Sequence, residues 1–101
     1  MTDIKIISSF KAAVQHACPG CEIYFFGSRV KGKHAQDADF DVLVLVDKLD
    51  SETRRKIYEC AWDIGFAREA LIAPVVCDKK EFKRYSSSPF YRNVIKTGLR
   101  L

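Results

Sequence analysis

The sequence lacks a long hydrophobic run. Its longest apolar stretch, Ala70 to Cys77, has eight residues and contains Pro74, whereas a membrane-spanning helix needs about 18 or more apolar residues. The N-terminal segment carries Asp3 and has no apolar block followed by a small-residue cleavage site, so no signal peptide is predicted. We therefore expect no membrane insertion, no secretion and a cytoplasmic location.

The sequence also lacks a strong excess of one charge. Seventeen Lys and Arg against thirteen Asp and Glu give a net charge of +4, and the basic residues are scattered. Without a basic helix or an array of alternating aromatic and basic residues, nucleic acid is not an expected partner. The hydrophobic fraction of 48% and the length of 101 residues predict one folded domain over residues 1–101.

The sequence lacks a second cysteine pair: of its four cysteines, only two share a recognisable spacing. Cys18–Cys21 (CPGC) has the C-x-x-C spacing of redox dithiols and zinc half-sites, and His16 lies two residues before it. A structural zinc site normally takes two such pairs, and Cys60 and Cys77 form no second pair. Because Pro-Gly ends helices and turns the chain, the segment favours a structural turn, with redox or metal binding as the alternatives.

Apolar periodicity predicts seven elements in the order α-β-β-α-β-α-α. DVLVLV (41–46) is apolar on both faces, which is typical of a central strand. Pro74 removes a backbone donor and indicates an edge strand or an irregularity. The expected fold class is α/β (α+β), with a small mixed sheet of three or four strands backed by helices. The helices are predicted over 3–17, from 51 to 66 or 70, over 79–85 and over 89–97, and the strands over 22–26, 41–46 and 71–77.

The long central helix has a wide apolar face in the sequence. Ile57, Cys60, Ala61 and Ile64 recur at three- and four-residue steps, which is typical of a face that packs on a sheet. Tyr58 and Trp62 are expected to widen that buried face.

The loop after the first strand has the composition of a phosphate-binding loop. It opens with Gly27 and Ser28, whose backbone N–H groups and hydroxyl can approach a phosphate closely. Arg29, Lys31 and Lys33 add positive charge as auxiliary phosphate contacts. An ordinary solvated basic loop is the alternative.

An acidic pair follows this loop. Asp39 and Asp41 are two residues apart, so on a strand both carboxylates project from one face, about 7 Å apart at their Cα atoms. Two such carboxylates repel each other unless a cation neutralises them, and their hard oxygens suit Mg²⁺. The alternative is a pair of solvated aspartates on a loop that enters a strand.

Together these residues match a known signature. A Gly-Ser followed by ten residues and Asp-x-Asp, here Gly27-Ser28 and Asp39-Phe40-Asp41, resembles the nucleotidyltransferase motif of the DNA polymerase β superfamily. The surrounding FFGSRVKGKHAQDADFDVLVLVD is similar to minimal nucleotidyltransferases of the HEPN/MNT toxin–antitoxin type. The resemblance extends to the closing SSPFYRNVIKTGLRL and implies the polymerase β-like fold.

The resemblance also implies a chemistry. Gly27 and Ser28 would hold a nucleoside triphosphate, with ATP as the expected donor. Asp39 and Asp41 would be the catalytic residues and the ligands of Mg²⁺. A nucleotidyl group, AMP, would pass to a protein partner with release of pyrophosphate. The partner would be a HEPN-domain protein, with this chain as the antitoxin.

One position departs from the family pattern. Family members carry a third carboxylate on a later strand, and aligning APVVCD there places Ala73, or less well Pro74, at that position. Asp78, Asp63 and Glu81 are the candidates to replace it. The alternative function is therefore a catalytically degenerate module that binds nucleotide or partner and neutralises by contact. We also expect a homo- or hetero-oligomer, through Phe90 and Tyr91 unless these pack on the core.

Overall fold

A computed structural model describes residues 3–27 and 39–101. Its elements follow the predicted order, with one short strand added at the C-terminal end. The elements are α1 (Asp3–Ala17), β1 (Glu22–Phe26), β2 (Phe40–Val46), α2 (Ser51–Arg68), β3 (Ile72–Asp78), α3 (Lys79–Arg84), α4 (Pro89–Thr97) and β4 (Leu99–Arg100). Within these ranges, no helix is both long enough and apolar enough to cross a membrane.

The four strands form one mixed sheet in the order β3-β2-β1-β4. β2 pairs antiparallel with β1 and parallel with β3, and β4 pairs antiparallel with β1. The prediction of an edge strand at Pro74 is confirmed, because β3 is the last strand on its side. An edge strand tolerates proline because one row of its backbone groups needs no strand partner.

β2 is the centre of the core, as its apolar sequence predicts. On one face of the sheet Val42 and Val44 pack with Phe10 of α1 and Ile57 of α2. On the other face its side chains Leu43 and Leu45 pack with Cys77 of β3, Phe82 of α3 and Val94 of α4. The sheet is therefore covered by a helical layer on each side.

Local signals set the helix boundaries. The Asp50 side chain accepts a hydrogen bond from the N–H of Thr53 at 2.7 Å and caps α2. Ser88 caps α4 by accepting from the N–H of Tyr91, with Pro89 in the first turn. Such caps satisfy N–H groups that have no acceptor within the helix, so these starts were readable in the sequence.

The prediction that Tyr58 and Trp62 widen the buried face of α2 is wrong. The buried residues of α2 are Ile57, Ala61 and Gly65, at four-residue spacing, and the half-buried Cys60 and Ile64 pack on the core beside them, as predicted. Tyr58 and Trp62 lie one residue later, about 100° further round the helix. They are 42% and 69% exposed.

The aromatic residues of α4 divide between packing and exposure. The Tyr91 ring stacks on Phe82 with centroids 4.8 Å apart, and its hydroxyl lies 3.1 Å from Cys77 Sγ. Phe90 is 42% exposed and makes an edge contact with Phe26. Tyr91 is therefore a packing residue of the second layer, in line with the alternative to an interface role.

The CPGC segment is a tight turn between α1 and β1. Gly20 has φ +88°, and its carbonyl accepts a hydrogen bond from Lys79 Nζ at 2.7 Å. Lys79 also pairs with Asp47 at 3.1 Å, so the turn is bound to the start of α3. Cys18 and Cys21 are free thiols. Burial, followed by the nearby Cys18, raises the pKa of Cys21 to about 11.

The raised pKa predicts an unreactive Cys21 thiol. At pH 8, a pKa of about 11 in place of 9.0 lowers the thiolate fraction about 100-fold. Alkylation of native Cys21 by iodoacetamide at pH 8, followed by mass spectrometry, is expected to be slower than in urea by that factor or more. Native Cys21 that reacts as fast as the unfolded chain would contradict the structural role and revive the redox alternative.

Candidate active site

Three of the predicted site residues lie within the described part of the chain. They are Gly27, Asp39 and Asp41, and all three are half-buried. The other four, Ser28, Arg29, Lys31 and Lys33, lie outside the described residues. Their assignment as nucleotide contacts stays a prediction.

The pairing of β1 with β2 brings the three residues to one edge of the sheet. Phe26, the last residue of β1, is the Cα partner of Asp41. Gly27 follows Phe26 directly, and Asp39 immediately precedes the first residue of β2. The N–H of Phe40 donates to the carbonyl of Leu71 at 2.8 Å, which fixes the start of β2 against the chain that enters β3.

Gly27 is held in close contact with the Asp41 side chain. It has φ +89°, a conformation that favours glycine. A Cβ built on Gly27 would collide with the carboxylate oxygen Oδ2 of Asp41, and would lie only 3.1 Å from its carboxyl carbon. The backbone at Gly27 is therefore in close contact with this carboxylate. The sequence predicted that Gly27 approaches a phosphate closely. In the structure, Gly27 lies in close contact with the Asp41 carboxylate.

The surroundings of Asp41 shift the pKa of its carboxyl group. It shares a sheet face with Leu43, because alternate residues of a strand point to the same side. Burial raises the pKa of the Asp41 carboxyl above its usual value, and the negative charge of Asp39 raises the pKa further. This repulsion between the two carboxylates agrees with the prediction that they lie together.

The third position of the family pattern falls on Ala73. In the parallel pairing of β2 with β3, Asp41 is the Cα partner of Ala73, so both side chains project from one face. Pro74 is the partner of Val42 and belongs to the other face. The register therefore favours Ala73 over Pro74 as the residue at that position.

None of the three candidate replacement carboxylates lies at this edge. Asp78 is the partner of Val46, five residues along β3 and roughly 16 Å away at the strand rise. It also caps α3, accepting from the N–H of Lys80 at 2.7 Å. Glu81 lies in α3, beyond that same far end of β3, and Asp63 lies on α2, in the layer that covers the opposite face.

The residues present fit one hard cation better than two. Among residues 3–27 and 39–101, no three His, Cys, Asp or Glu are grouped to hold a metal ion. Asp39 and Asp41 offer carboxylate oxygens and two negative charges that repel each other, which a divalent cation would neutralise. Mg²⁺ keeps several waters or phosphate oxygens in its shell, so two carboxylates suffice to anchor it.

Phe26 and Phe90 form an aromatic contact beside the acidic pair that was not predicted from the sequence. Phe26 lies opposite Asp41 on the same face of the sheet. The Phe90 ring meets the Phe26 ring edge-on, with centroids 5.5 Å apart. The signal was available, because Phe26 directly precedes Gly27, but the contact with Phe90 depends on how α4 packs on the sheet.

Substitution of Gly27 tests the close approach to Asp41. Gly27→Ala is expected to lower the free energy of unfolding by more than Gly20→Ala, which has the same positive φ but space for a Cβ at 3.5 Å from Asp47. The control costs about 1–2 kcal/mol through backbone strain, and the collision should add at least about 1 kcal/mol. Urea denaturation measures both, and Asp41→Ala should remove the excess. Equal costs for the two glycines would contradict the contact.

Comparisons with known proteins show which family this chain is similar to. The family model of the nucleotidyltransferase domain matches residues 5–98. A comparison with curated protein sequences gives no significant match.

Similar solved structures cover almost the whole chain. A variant of the MntA–HpeT toxin–antitoxin is 27% identical over 100% of this chain and 72% of that chain, with a TM-score of 0.59. A toxin–antitoxin with AMP-PNP is 24% identical over 98% and 72%, with a TM-score of 0.64. A complex of a tri-AMPylated HEPN toxin with an MNT antitoxin from Shewanella oneidensis is 22% identical over 98% and 71%, with a TM-score of 0.60. The resemblance predicted from the Gly-Ser and Asp-x-Asp motif is therefore confirmed, and the chain belongs to the nucleotidyltransferase domain family, as a minimal nucleotidyltransferase of the type seen in the HEPN/MNT structures.

Proposed function

We propose that this protein transfers AMP from ATP to a HEPN-domain partner protein, and that it acts as the antitoxin of that partner. The observation that carries the proposal is the placement of Asp39 and Asp41 beside Gly27 at one edge of the sheet, inside a domain of the nucleotidyltransferase family. In this proposal, residues 1–101 form one domain.

The donor nucleotide would lie along the edge where β1 ends and β2 begins. Gly27 and Ser28 would contact the triphosphate through backbone N–H groups and the hydroxyl, and Arg29, Lys31 and Lys33 would neutralise phosphate charge. The family resemblance supports this arrangement. A similar toxin–antitoxin structure contains AMP-PNP, an analogue of ATP.

Asp39 and Asp41 would hold Mg²⁺ on the phosphates. The ion, when bound, would supply positive charge that stabilises the transition state and the leaving pyrophosphate. An oxygen of the acceptor forms a bond to the α-phosphorus, the bond from that phosphorus to the bridging oxygen breaks, and pyrophosphate leaves. The acceptor's proton passes to water. A bound cation would also relieve the repulsion between Asp39 and Asp41, which together with burial raises the pKa of Asp41.

The proposed partner follows from the similar structures. One of them is a complex in which the HEPN toxin is tri-AMPylated and bound to an MNT antitoxin. That complex contains both the product and the pair of proteins that the proposal requires. At 22% identity it supports the choice of acceptor class for this chain through the shared fold.

A second function is favoured by Ala73. An alanine beside Asp41 cannot ligate a metal or accept a proton, so the third ligand of the family pattern is missing at its registered position. A chain with this defect can still bind nucleotide or partner and neutralise the partner by contact alone. The two functions differ in whether Asp39 and Asp41 are needed for covalent transfer.

Removal of the acidic pair tests the nucleotide site. Calorimetric titration with ATP is expected to show magnesium-dependent binding that weakens at least about tenfold in Asp39→Asn/Asp41→Asn. The midpoint of urea unfolding should stay the same or rise, because the carboxylate repulsion is relieved. Asp63→Asn, an exposed carboxylate of α2, is the matched control and should bind as the wild type does. Binding or AMP transfer that survives the double substitution would contradict the metal assignment.

Restoration of the third carboxylate separates the two functions. Ala73→Asp is expected to raise the rate of AMP transfer to a purified HEPN-domain protein about tenfold or more. Val75→Asp is the control, because Val75 lies two residues further on the same face of β3, opposite Leu43. Transfer of radiolabel from α-labelled ATP gives the rate. If Ala73→Asp binds ATP but transfers none, neutralisation by contact becomes the favoured function.

A further inference from the structure

The outer side of α2 carries an aromatic stripe that is exposed in the described part of the chain. The aromatic stripe consists of Tyr58, Trp62 and Phe66, spaced four residues apart, with 42%, 69% and 77% of each side chain exposed. The Trp62 and Phe66 rings stack with centroids 6.3 Å apart. Leu71, which is 61% exposed, extends the apolar surface to the start of β3.

This stripe is separate from the nucleotide site. α2 belongs to the helical layer that covers the face of Val42 and Val44, whereas Asp41 projects from the other face. The exposed rings of the stripe line a surface groove together with Ala61 and Gly65 of α2, away from the carboxylate edge. A contiguous exposed apolar surface of this kind typically marks an interaction site, because its burial removes apolar area from water.

The residues of the stripe are arranged symmetrically about Trp62. Tyr58 lies four residues before Trp62 and Phe66 four residues after it. Arg55 lies seven residues before and Glu69 seven residues after. At 100° per residue, Arg55, Tyr58 and Phe66 lie within about 40° of Trp62 around the helix axis. Glu69 follows the last residue of α2 in a left-handed conformation (φ 55°) and lines the same surface groove as Trp62 and Phe66. The stripe is therefore aromatic at its centre, basic at its N-terminal end and acidic at its C-terminal end.

We propose that this stripe is the interface of a twofold-symmetric homodimer in which α2 packs antiparallel against α2 of a second copy. In that arrangement the Trp62 rings of the two copies meet at the axis, and Tyr58 of each copy packs on Phe66 of the other. Arg55 of each copy pairs with Glu69 of the other. A twofold interface requires such self-complementarity, because every contact occurs twice.

The charges at the ends of the stripe are available for these contacts. Arg55 and Glu69 are both exposed. Arg55 is oriented by an ion pair with Glu59 at 2.6 Å within the helix. A guanidinium has five N–H donors, so this pair leaves donors for a second carboxylate. Parallel packing of the two helices would instead place Arg55 beside Arg55 and Glu69 beside Glu69, so charge selects the antiparallel orientation.

Charge exchange within one chain is the sharpest test. Arg55→Glu and Glu69→Arg should each raise the dimer dissociation constant about 100-fold in sedimentation velocity, because each creates two like-charge contacts per dimer. The double variant Arg55→Glu/Glu69→Arg should recover the wild-type dissociation constant to within about tenfold, because it restores both contacts. Lys56→Glu reverses an exposed charge on another side of α2 and should leave the dimer intact.

Trp62 provides an independent readout because it is the only tryptophan in the sequence. Its emission maximum is expected to shift to the blue as the concentration rises through the dissociation constant. Phe66→Ser should abolish this shift while circular dichroism shows a folded chain. A chain that stays monomeric at several hundred micromolar with solvent-exposed Trp62 emission would overturn the proposal. So would a dimer that the double variant fails to restore.

Discussion

The antiparallel pairing of β1 with β2 is the constraint on which the candidate active site depends. It sets Phe26 opposite Asp41 and thereby places Gly27 over the carboxylate of Asp41. A shift of one residue in this register would turn Asp41 to the opposite face, because side chains alternate along a strand. The register is held by burial, since β2 is packed on both faces. Packing of the core therefore fixes the positions of Gly27, Asp39 and Asp41, although these three residues are not among the buried core residues.

The placement of Asp41 beside Asp39 lowers the stability of the folded chain. Asp41 is half-buried on the face that also carries Leu43, and both its burial and the charge of Asp39 oppose ionisation. A bound cation and the phosphates that it carries would offset this repulsion, so ligand binding and stability are coupled at these two residues. Ala73 reduces the cost further, because a third carboxylate in that register would add negative charge to the same face.

The sequence was most informative where a property depends on neighbours along the chain. The predicted helix starts at residues 51 and 89 and the central position predicted for β2 from its two-faced apolar pattern are confirmed. β4 was missed because its two residues form a strand only through pairing with β1. The burial of Trp62 was predicted wrongly because periodicity does not tell how much of a helix its neighbours cover. α2 packs on α1 and β3 at one side of the sheet, and these contacts cover Ile57, Ala61 and Gly65 with the neighbouring Cys60 and Ile64 but not Trp62.

The acidic edge and the aromatic stripe lie on opposite sides of the sheet. Asp41 faces the side covered by α3 and α4, whereas the stripe lies on α2 at the other side. In an antiparallel dimer through the stripe, the face that carries Asp41 in each copy points away from the twofold axis. An acceptor can then reach each site without dissociation of the dimer. Since Ala73 supplies neither a ligand nor a base, the proposed transfer relies on the acceptor to position its own nucleophilic oxygen, and the proton passes to water. The rate would then depend on the chemistry that the acceptor brings to the open face, so selection of the acceptor and catalysis would be joined at the same surface.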